Sequence, residues 1–250
     1  KVFLSEEELG LDIPKGIMLM GVQGSGKSLA AKAVAGMWEI PLLRLDFGAL
    51  YNKWHGESEK NLREALKLSQ TMSPCVLWLD EIEKGLSTSD SDGGTSKRML
   101  GTLLTFMQEN NSSVFFVATA NDISALPPEL IRKGRFDELF FVDLPEPMAR
   151  QEIFRIHLKQ FRPNSWENFD NIKLAQLTEA FSGAEIRQTI IEAMYQAFYE
   201  KREFTTHDIC NATEELIPLA NIETAQMVKL KKWASSGRIR LASIKDISLN

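Results

Sequence analysis

One short motif constrains the fold of this chain more than any other feature. Eight consecutive residues match the spacing GxxxxGK[ST]: Gly21, Val22, Gln23, Gly24, Ser25, Gly26, Lys27 and Ser28. The motif follows an apolar run and precedes a helical period, which is the context that a phosphate-binding loop requires. Glycines let backbone N–H groups close around phosphate oxygens, and the N-terminus of the helix adds a favourable potential. The alternative is a chance glycine-rich turn before a helix.

The residue types in and after this loop predict a site for ATP and Mg²⁺. Lys27 is expected to bridge the outer phosphates, and the Ser28 hydroxyl to ligate Mg²⁺. An apolar strand pattern ends in Asp80 and Glu81, which can hold the metal through water and aim at the attacking water, respectively. Two adjacent acids could instead be a solvated strand end, but the loop upstream favours a functional pair. The candidate nucleotide-binding residues are the eight of the loop and Leu29.

The first two-thirds of the chain alternates short apolar runs with helical periods. The apolar runs predict buried strands at 17–20, 42–45, 76–79, 114–118 and 139–142. The helical periods span 27–38, 58–68, 97–109 and 128–132. Such alternation indicates a parallel sheet covered on both faces. The predicted fold class is α/β, a P-loop NTPase with a five-stranded parallel sheet sandwiched by helices.

The pattern changes after Pro145 and Pro147, where only helical periods follow, at 148–160, 172–180, 183–201, 206–216 and roughly 224–235. We predict a nucleotide-binding domain at 1–145, a small all-helical lid at 146–220, and a C-terminal helix with a basic tail at 221–250. Residues 87–94 are rich in Ser, Asp and Gly and are expected to form a mobile loop.

Composition excludes several classes of protein. With 29 basic and 34 acidic residues the formal net charge is −5, which argues against non-specific coating of nucleic acid. The apolar runs are far shorter than the ~20 residues of a membrane span. No CxxC or HExxH spacing occurs, which argues against a zinc site. The chain has 2 cysteines, and Cys75 lies in an apolar strand pattern, so a reducing compartment fits best.

Taken together, these residues resemble the AAA branch of the AAA+ ATPases over nearly the whole chain. The resemblance implies that ATP and Mg²⁺ bind at the seam between the nucleotide-binding domain and the helical lid. Residues 115–121 resemble the sensor-1 strand of that family, which implies that Asn121 helps to place the hydrolytic water. Residues 182–185 resemble the sensor-2 turn, which implies that Gly183 and Ala184 border the adenine.

Two arginines complete the resemblance at the nucleotide site. Residues 130–137 resemble the family's second region of homology, in which two arginines reach the γ-phosphate on the neighbouring subunit. Arg132 and Arg135 stand at those positions. Arginines that reach a neighbouring subunit's nucleotide in this way are called arginine fingers. They stabilise charge on the transferring phosphoryl group and raise the rate of hydrolysis by ~10³-fold or more. The alternative is a pair of solvated loop arginines.

A polar stretch at 53–60 resembles the first pore loop of the protein-remodelling members. The resemblance implies that Trp54, with Lys53 and His55 beside it, lines a central pore and grips an extended chain by non-specific packing. Trp54 could instead pack on the following helix as a hydrophobic staple. A lone loop histidine such as His55 is more often simply solvated.

The sequence departs from the family at two places. Val22 and Gln23 replace the two prolines of the usual GPPGTGK loop, which affects the stiffness of the loop rather than its phosphate-facing glycines. No arginine stands three positions after Gly183. Arg187 comes one position later and would point elsewhere on the helix, so it is given no sensor-2 role.

A narrower resemblance is to the poorly characterised AAA proteins encoded in cyanobacterial and algal plastid genomes, which also have bacterial relatives. Residues 73–84 and 233–243 carry it. It implies bacterial cytoplasm or plastid stroma as the compartment. Those proteins have an additional N-terminal region. Because this chain begins at Lys1 rather than Met, we expect it to be a fragment of a longer protein.

The expected function is a ring-forming ATPase, hexameric by resemblance, that remodels or translocates a polypeptide. A rival from another class is an ATP-gated assembly scaffold that switches a partner without threading it. Between residues 224 and 245 the tail has six basic residues and no acidic one. That tail could lie on an acidic surface or bind an anionic partner, and the net charge favours the former. A membrane partner is not expected, and a nucleic-acid partner is disfavoured.

Overall fold

The structure is a computed structural model that describes residues 14–52, 57–86, 94–109, 112–132, 134–222, 228–229, 231–233 and 239–242. The chain divides into two compact units. The first comprises Lys1–Gly21, Lys27–Val142 and Lys232–Asn250, and the second comprises Val22–Gly26 and Asp143–Lys231.

The first unit is built on a parallel sheet. Its strands are β1 (Gly16–Gly21), β2 (Leu42–Asp46), β3 (Cys75–Asp80), β4 (Val114–Ala120), β5 (Glu138–Val142) and β6 (Arg240–Leu241). Their order across the sheet is β2-β3-β4-β1-β5-β6, and every neighbouring pair is parallel. Residues of β3 and β4 are buried throughout, which explains why these strands are continuous apolar runs in the sequence.

The predicted fold class is confirmed, but the sheet has six strands rather than five. The extra strand, β6, is two exposed residues long and pairs with Phe140 and Phe141 of β5. The Ala242 N–H also donates to the Phe141 carbonyl at 2.9 Å. The prediction of five strands missed β6, because β6 is held by backbone hydrogen bonds and has no apolar pattern.

Helices cover both faces of this sheet. They are α1 (Lys27–Trp38), α2 (Phe47–Asn52), α3 (Ser58–Thr71), α4 (Ile82–Leu86) and α5 (Thr95–Glu109). Alternate strand residues enter different hydrophobic clusters: Leu77 and Leu79 join one, whereas Val76 and Trp78 join the other. The helix predicted at 128–132 was wrong. Two single-turn hydrogen bonds, from Leu130 N–H to Pro127 and from Ile131 N–H to Pro128, are found there instead.

The second unit is a helical bundle with its own core. Its helices are α6 (Pro147–Phe161), α7 (Asn171–Leu177), α8 (Gly183–Tyr199), α9 (Thr206–Glu215) and α10 (Leu219–Ile222), with a short 3₁₀ helix at Trp166–Asn168. Ile186, Ile190, Ala193 and Ala197 recur at helical spacing along α8 and enter one buried cluster with Phe154 of α6. Most of the helix predicted at 224–235 lies outside the described residues. Within that range the structure describes 228–229 and 231–233, and these residues are helical.

Two further observations concern membranes and thiols. In the part of the chain that the structure describes, no helix has both the length and the apolar character to cross a bilayer. Cys75 and Cys210 are both buried free thiols.

Candidate active site

The phosphate loop follows β1 and leads into α1. Gly24 and Gly26 have φ values of 77° and 98°, in the left-handed region that glycine enters without cost. Gly21 is required for a different reason, since a Cβ there would lie 2.0 Å from the Val142 carbonyl of the neighbouring strand. The Ser25 Oγ is buried without a hydrogen-bond partner. The loop therefore combines a close strand contact with a backbone shape that suits phosphate.

Lys27, the first residue of α1, is buried, and its Nζ donates to the Gly21 carbonyl at 2.9 Å. Burial lowers the pKa of Lys27 to about 8, although the charges of Glu83, Asp80 and Glu81 act in the opposite direction. Because burial penalises the charged form of Lys27, an anionic ligand such as phosphate would stabilise its ammonium group.

The other loop residues predicted to bind nucleotide differ in exposure. Val22 is buried, whereas Gln23, Ser28 and Leu29 are exposed. Ser28 is therefore accessible from solvent.

Asp80 ends β3 and is held by two neighbouring strands. The Thr119 Oγ1 of β4 donates to Asp80 Oδ1 at 2.8 Å. The Arg44 guanidinium of β2 donates to Asp80 Oδ2 from Nη2 at 2.7 Å and from Nε at 3.1 Å. Neither Thr119 nor Arg44 was predicted from the sequence. Both act through cross-strand register, which no local pattern reveals.

Glu81 and Asn121 meet, as their predicted roles require. The Asn121 Nδ2 donates to Glu81 Oε1 at 3.3 Å, and the Lys84 Nζ lies 2.7 Å from Glu81 Oε2. The Glu81 N–H donates to Thr119 Oγ1 at 3.1 Å. The carboxylate is therefore oriented by an amide on one oxygen and an ammonium on the other.

Glu83 is a further acid that sequence reasoning missed. It is buried, its Oε1 accepts the Asn121 N–H at 2.9 Å, and its Oε2 has no hydrogen-bond partner. Burial raises the pKa of this carboxyl group. Its position two residues after Glu81 was a usable signal, because α4 begins at once and turns this side chain back toward the strand ends.

The two candidate fingers are placed differently. Arg132 is exposed, and among the described residues it has no hydrogen bond or ion pair. Arg135 is half-buried, and its Nη1 donates to the Leu104 carbonyl of α5 at 3.3 Å. The candidate pore residues Lys53, Trp54 and His55 lie outside the described residues.

In the second unit, the start of α8 contacts Gly24 of the phosphate loop. The Ala184 N–H donates to the Gly24 carbonyl at 3.2 Å, and a Cβ on Gly24 would lie 2.7 Å from Ser182 Oγ. Gly183 begins α8 beside them. The Arg187 guanidinium lies 5.7 Å from the centroid of the Phe161 ring.

Comparisons with known proteins agree with this geometry. Residues 17–144 match the family "ATPase family associated with various cellular activities (AAA)". An uncharacterised AAA domain-containing protein, ycf46, of Trieres chinensis is 59% identical over 243 residues, which are 96% of this chain and 49% of that protein. A proteasome-activating nucleotidase of Aeropyrum pernix is 35% identical over 217 residues, covering 84% of this chain and 52% of that protein. The chain thus spans about half the length of these relatives.

A solved structure gives the same fold. The FIGL-1 AAA domain in complex with ADP has a TM-score of 0.74 at 24% identity, covering 89% of this chain and 78% of that one. Fold, motif order and family match point to one conclusion: the chain belongs to the AAA family and is an AAA ATPase domain.

Proposed function

We propose that this domain is the motor of a ring-forming AAA protein that couples ATP hydrolysis to the remodelling of a polypeptide. The observation that carries the proposal is the meeting of Glu81 and Asn121 at the carboxyl ends of β3 and β4, beside Asp80. In an open parallel sheet, ligands bind at this end of the strands. Family membership supports hydrolysis. Ring formation, threading and the polypeptide substrate are our proposals.

The residues present fit Mg²⁺, which prefers hard oxygen ligands and keeps several waters. We infer that the Ser28 hydroxyl supplies one of these oxygens, since Ser28 is exposed, and that the Asp80 carboxylate holds the ion through a bound water. Within the described ranges no group of three or more His, Cys, Asp or Glu could hold a metal. When bound, Mg²⁺ neutralises charge developing on the phosphates.

The chain's own groups then divide the work. The buried Lys27 ammonium binds the outer phosphates, and the backbone of residues 21–26 surrounds them. Glu81 orients the attacking water and accepts its proton, while Asn121 fixes both Glu81 and that water. Gly183 and Ala184 border the base, and the contact between Ala184 and Gly24 supports this placement.

We propose that Arg132 and Arg135 act on the nucleotide of a neighbouring subunit in a hexameric ring. The exposure of Arg132 supports an action outside its own subunit. Arg135 also has a structural role within its own subunit, because it donates a hydrogen bond to the Leu104 carbonyl. A finger supplied by a neighbour makes hydrolysis depend on assembly.

The test is the ATPase rate per subunit as protein concentration rises, for wild type and Arg132→Ala. A cooperative rise that Arg132→Ala abolishes supports a site completed by the neighbour. A rate that does not change with concentration, or an Arg132→Ala variant as active as wild type, refutes action between subunits and favours an ATP-gated scaffold. Arg155→Ala is the matched control, because Arg155 is also accessible but pairs with Glu152 in α6.

A second candidate is an ATP-gated scaffold that changes a partner without threading it. The variant Trp54→Ala, made in the full-length protein, distinguishes the motor from the scaffold. Lys53→Ala and His55→Ala are tested in the same way. The motor requires that Trp54→Ala loses action on a permanently unfolded, fluorescently labelled polypeptide while its ATPase persists. Unchanged action on that polypeptide favours the scaffold. We propose plastid stroma or bacterial cytoplasm as the compartment, and similarity to ycf46 proteins supports the plastid.

A further inference from the structure

Arg44 and Thr119 together occupy most of the hydrogen-bonding capacity of Asp80, the carboxylate proposed to hold magnesium. The Arg44 Nη2 and Nε both donate to Asp80 Oδ2, at 2.7 and 3.1 Å, and Thr119 Oγ1 donates to Oδ1 at 2.8 Å. An ionised carboxylate offers about four lone-pair sites. Two are taken at Oδ2 and one at Oδ1, so about one site is left for a water bound to a metal ion.

The sheet register explains why Arg44 reaches this position. In the parallel pair of β2 and β3, Arg44 lies opposite Trp78, and Asp46 lies opposite Asp80. Side chains alternate along a strand, so these four residues share one face of the sheet. The Arg44 guanidinium lies 4.8 Å from the centroid of the Trp78 ring, which holds it beside Asp80.

Arg44 also has a second carboxylate partner, Asp46, within reach. Its Nη2 lies 3.4 Å from Asp46 Oδ2, a second carboxylate on the same strand. Strand β2 is at the edge of the sheet, and the Arg44 side chain is 54% exposed. The guanidinium can therefore leave Asp80 for Asp46 without crossing the core or becoming a buried unpaired charge.

We propose that Arg44 is a positioning residue that competes with Mg²⁺ for Asp80 and passes to Asp46 when the ion binds. The inference rests on the proposed function in one respect, that Asp80 holds the ion. Two cations that share one carboxylate repel each other, so the charge of Arg44 weakens Mg²⁺ binding. Arg44 thus keeps the Asp80 charge compensated in the metal-free site and sets the Mg²⁺ concentration at which the site becomes loaded.

The test is a binding measurement that does not involve turnover. A trace of a fluorescent, non-hydrolysable ATP analogue is held at constant concentration with the protein, and the Mg²⁺ midpoint of its binding is measured. Arg44→Met keeps an unbranched side chain over Trp78 and removes the charge. It should lower the Mg²⁺ midpoint about tenfold, the size expected for one nearby like charge. Arg44→Lys keeps the charge and should stay near wild type.

Two further variants make the result decisive. Asp46→Asn removes the second carboxylate but keeps an Oδ1 acceptor for the Ala49 N–H, and it should raise the midpoint. Arg63→Met, an exposed arginine paired with Glu59 on α3, should change nothing. A midpoint that is unchanged or raised in Arg44→Met overturns the inference. If Arg44→Met does not fold, an unchanged or lowered midpoint in Asp46→Asn overturns it equally.

Asp80→Asn separates failure of this inference from failure of the proposed function. If Asp80→Asn leaves the Mg²⁺ midpoint unchanged, Asp80 does not hold the ion and the proposed site is wrong. If Asp80→Asn raises the midpoint and Arg44→Met does not lower it, only the role of Arg44 is wrong.

Discussion

At the scale of single residues, the backbone of Glu81 decides where its carboxylate lies. Glu81 has a φ of 49°, in the left-handed region that costs a non-glycine residue roughly 1–2 kcal/mol. The hydrogen bond from its N–H to Thr119 Oγ1 helps to hold this conformation. The turn directs the side chain to Asn121 and Lys84 instead of along the strand. Local strain here is compensated by contacts from the neighbouring strand.

Glu81→Gln tests the proposed base. Glutamine has nearly the same shape and can still accept from Asn121, so we expect ATP binding to persist. It cannot take a proton from water, and turnover should fall by about a hundredfold or more. Steady-state ATPase and nucleotide binding check both statements. Glu64→Gln, at an exposed position of α3, is the control and should behave as wild type. Near-normal turnover of Glu81→Gln would refute the assignment.

Gly21→Ala tests whether the first loop glycine serves the sheet. The added Cβ would lie 2.0 Å from the Val142 carbonyl, a backbone atom that cannot easily move. We expect the free energy of unfolding to fall by more than about 2 kcal/mol, as for other overpacked sites. Gly36→Ala, where the added Cβ meets nothing within 4 Å in α1, should instead stabilise by up to ~1 kcal/mol. Urea unfolding measures both. Equal effects would contradict this explanation.

At the scale of elements, capping boxes mark the starts of two helices of the second unit, α8 and α9. Ser182 and Glu185 form a capping box at the start of α8, and Thr205 and Asp208 form one at the start of α9. Glu185 Oε1 also accepts the Leu219 N–H at 2.7 Å, which joins α8 to α10. Each cap therefore fixes both a helix start and a contact with the adjoining chain.

Asp208→Asn tests the second cap and its dependence on pH. The Arg202 guanidinium, bound to both carboxylate oxygens, holds the pKa of Asp208 well below its usual range. A carboxyl group with a lowered folded-state pKa stabilises above the unfolded value, near 4, and loses this effect as pH falls below it. We expect Asp208→Asn to cost about 1–2 kcal/mol at pH 7, a value that allows for screening at the partly exposed Arg202.

The cost of Asp208→Asn should shrink steadily below about pH 4. Urea unfolding at several pH values measures it. Glu200→Gln removes the other partner of Arg202, at an exposed site, and should cost little at any pH. A cost of Asp208→Asn that stays the same from pH 7 to pH 3 would show that the charge plays no part.

At the scale of the whole molecule, strand order assembles the chemistry. Because β1 lies between β4 and β5, and β3 lies beside β4, the phosphate loop and the residues that follow β3 and β4 leave the same end of the sheet. Burial lowers the pKa of Lys27 at the start of α1, and the charges of Glu83, Asp80 and Glu81, at or just after the end of β3, act against that shift. The proposed arginine fingers would add residues from a neighbouring subunit to this site.

Mixing two inactive variants tests the assembly directly. Glu81→Gln keeps its finger but lacks the base, and Arg132→Ala keeps the base but lacks the finger. In a mixed ring, on the order of a quarter of the interfaces at equal ratio should combine an intact base with an intact finger, so ATPase should reappear. The control mixes Glu81→Gln with the double variant Glu81→Gln/Arg132→Ala, which can form no intact site. No recovery in the first mixture would refute action between subunits.

The sequence by itself determined the features that rest on local signals. The loop motif, five of the strands and most helices were predictable, because periodicity and caps depend on residues close in the chain. The pair Asp80 and Glu81 was readable for the same reason, since it ends an apolar run. The family followed from the order and spacing of these motifs.

Only the tertiary structure decided the contacts between distant segments. The bonds from Arg44 and Thr119 to Asp80 depend on strand register, and the burial of Glu83 depends on what packs over α4. The sixth strand has no apolar pattern, and residues 128–132 look helical but turn instead. Register and burial are set by non-local packing, which leaves no periodic trace in the residues themselves.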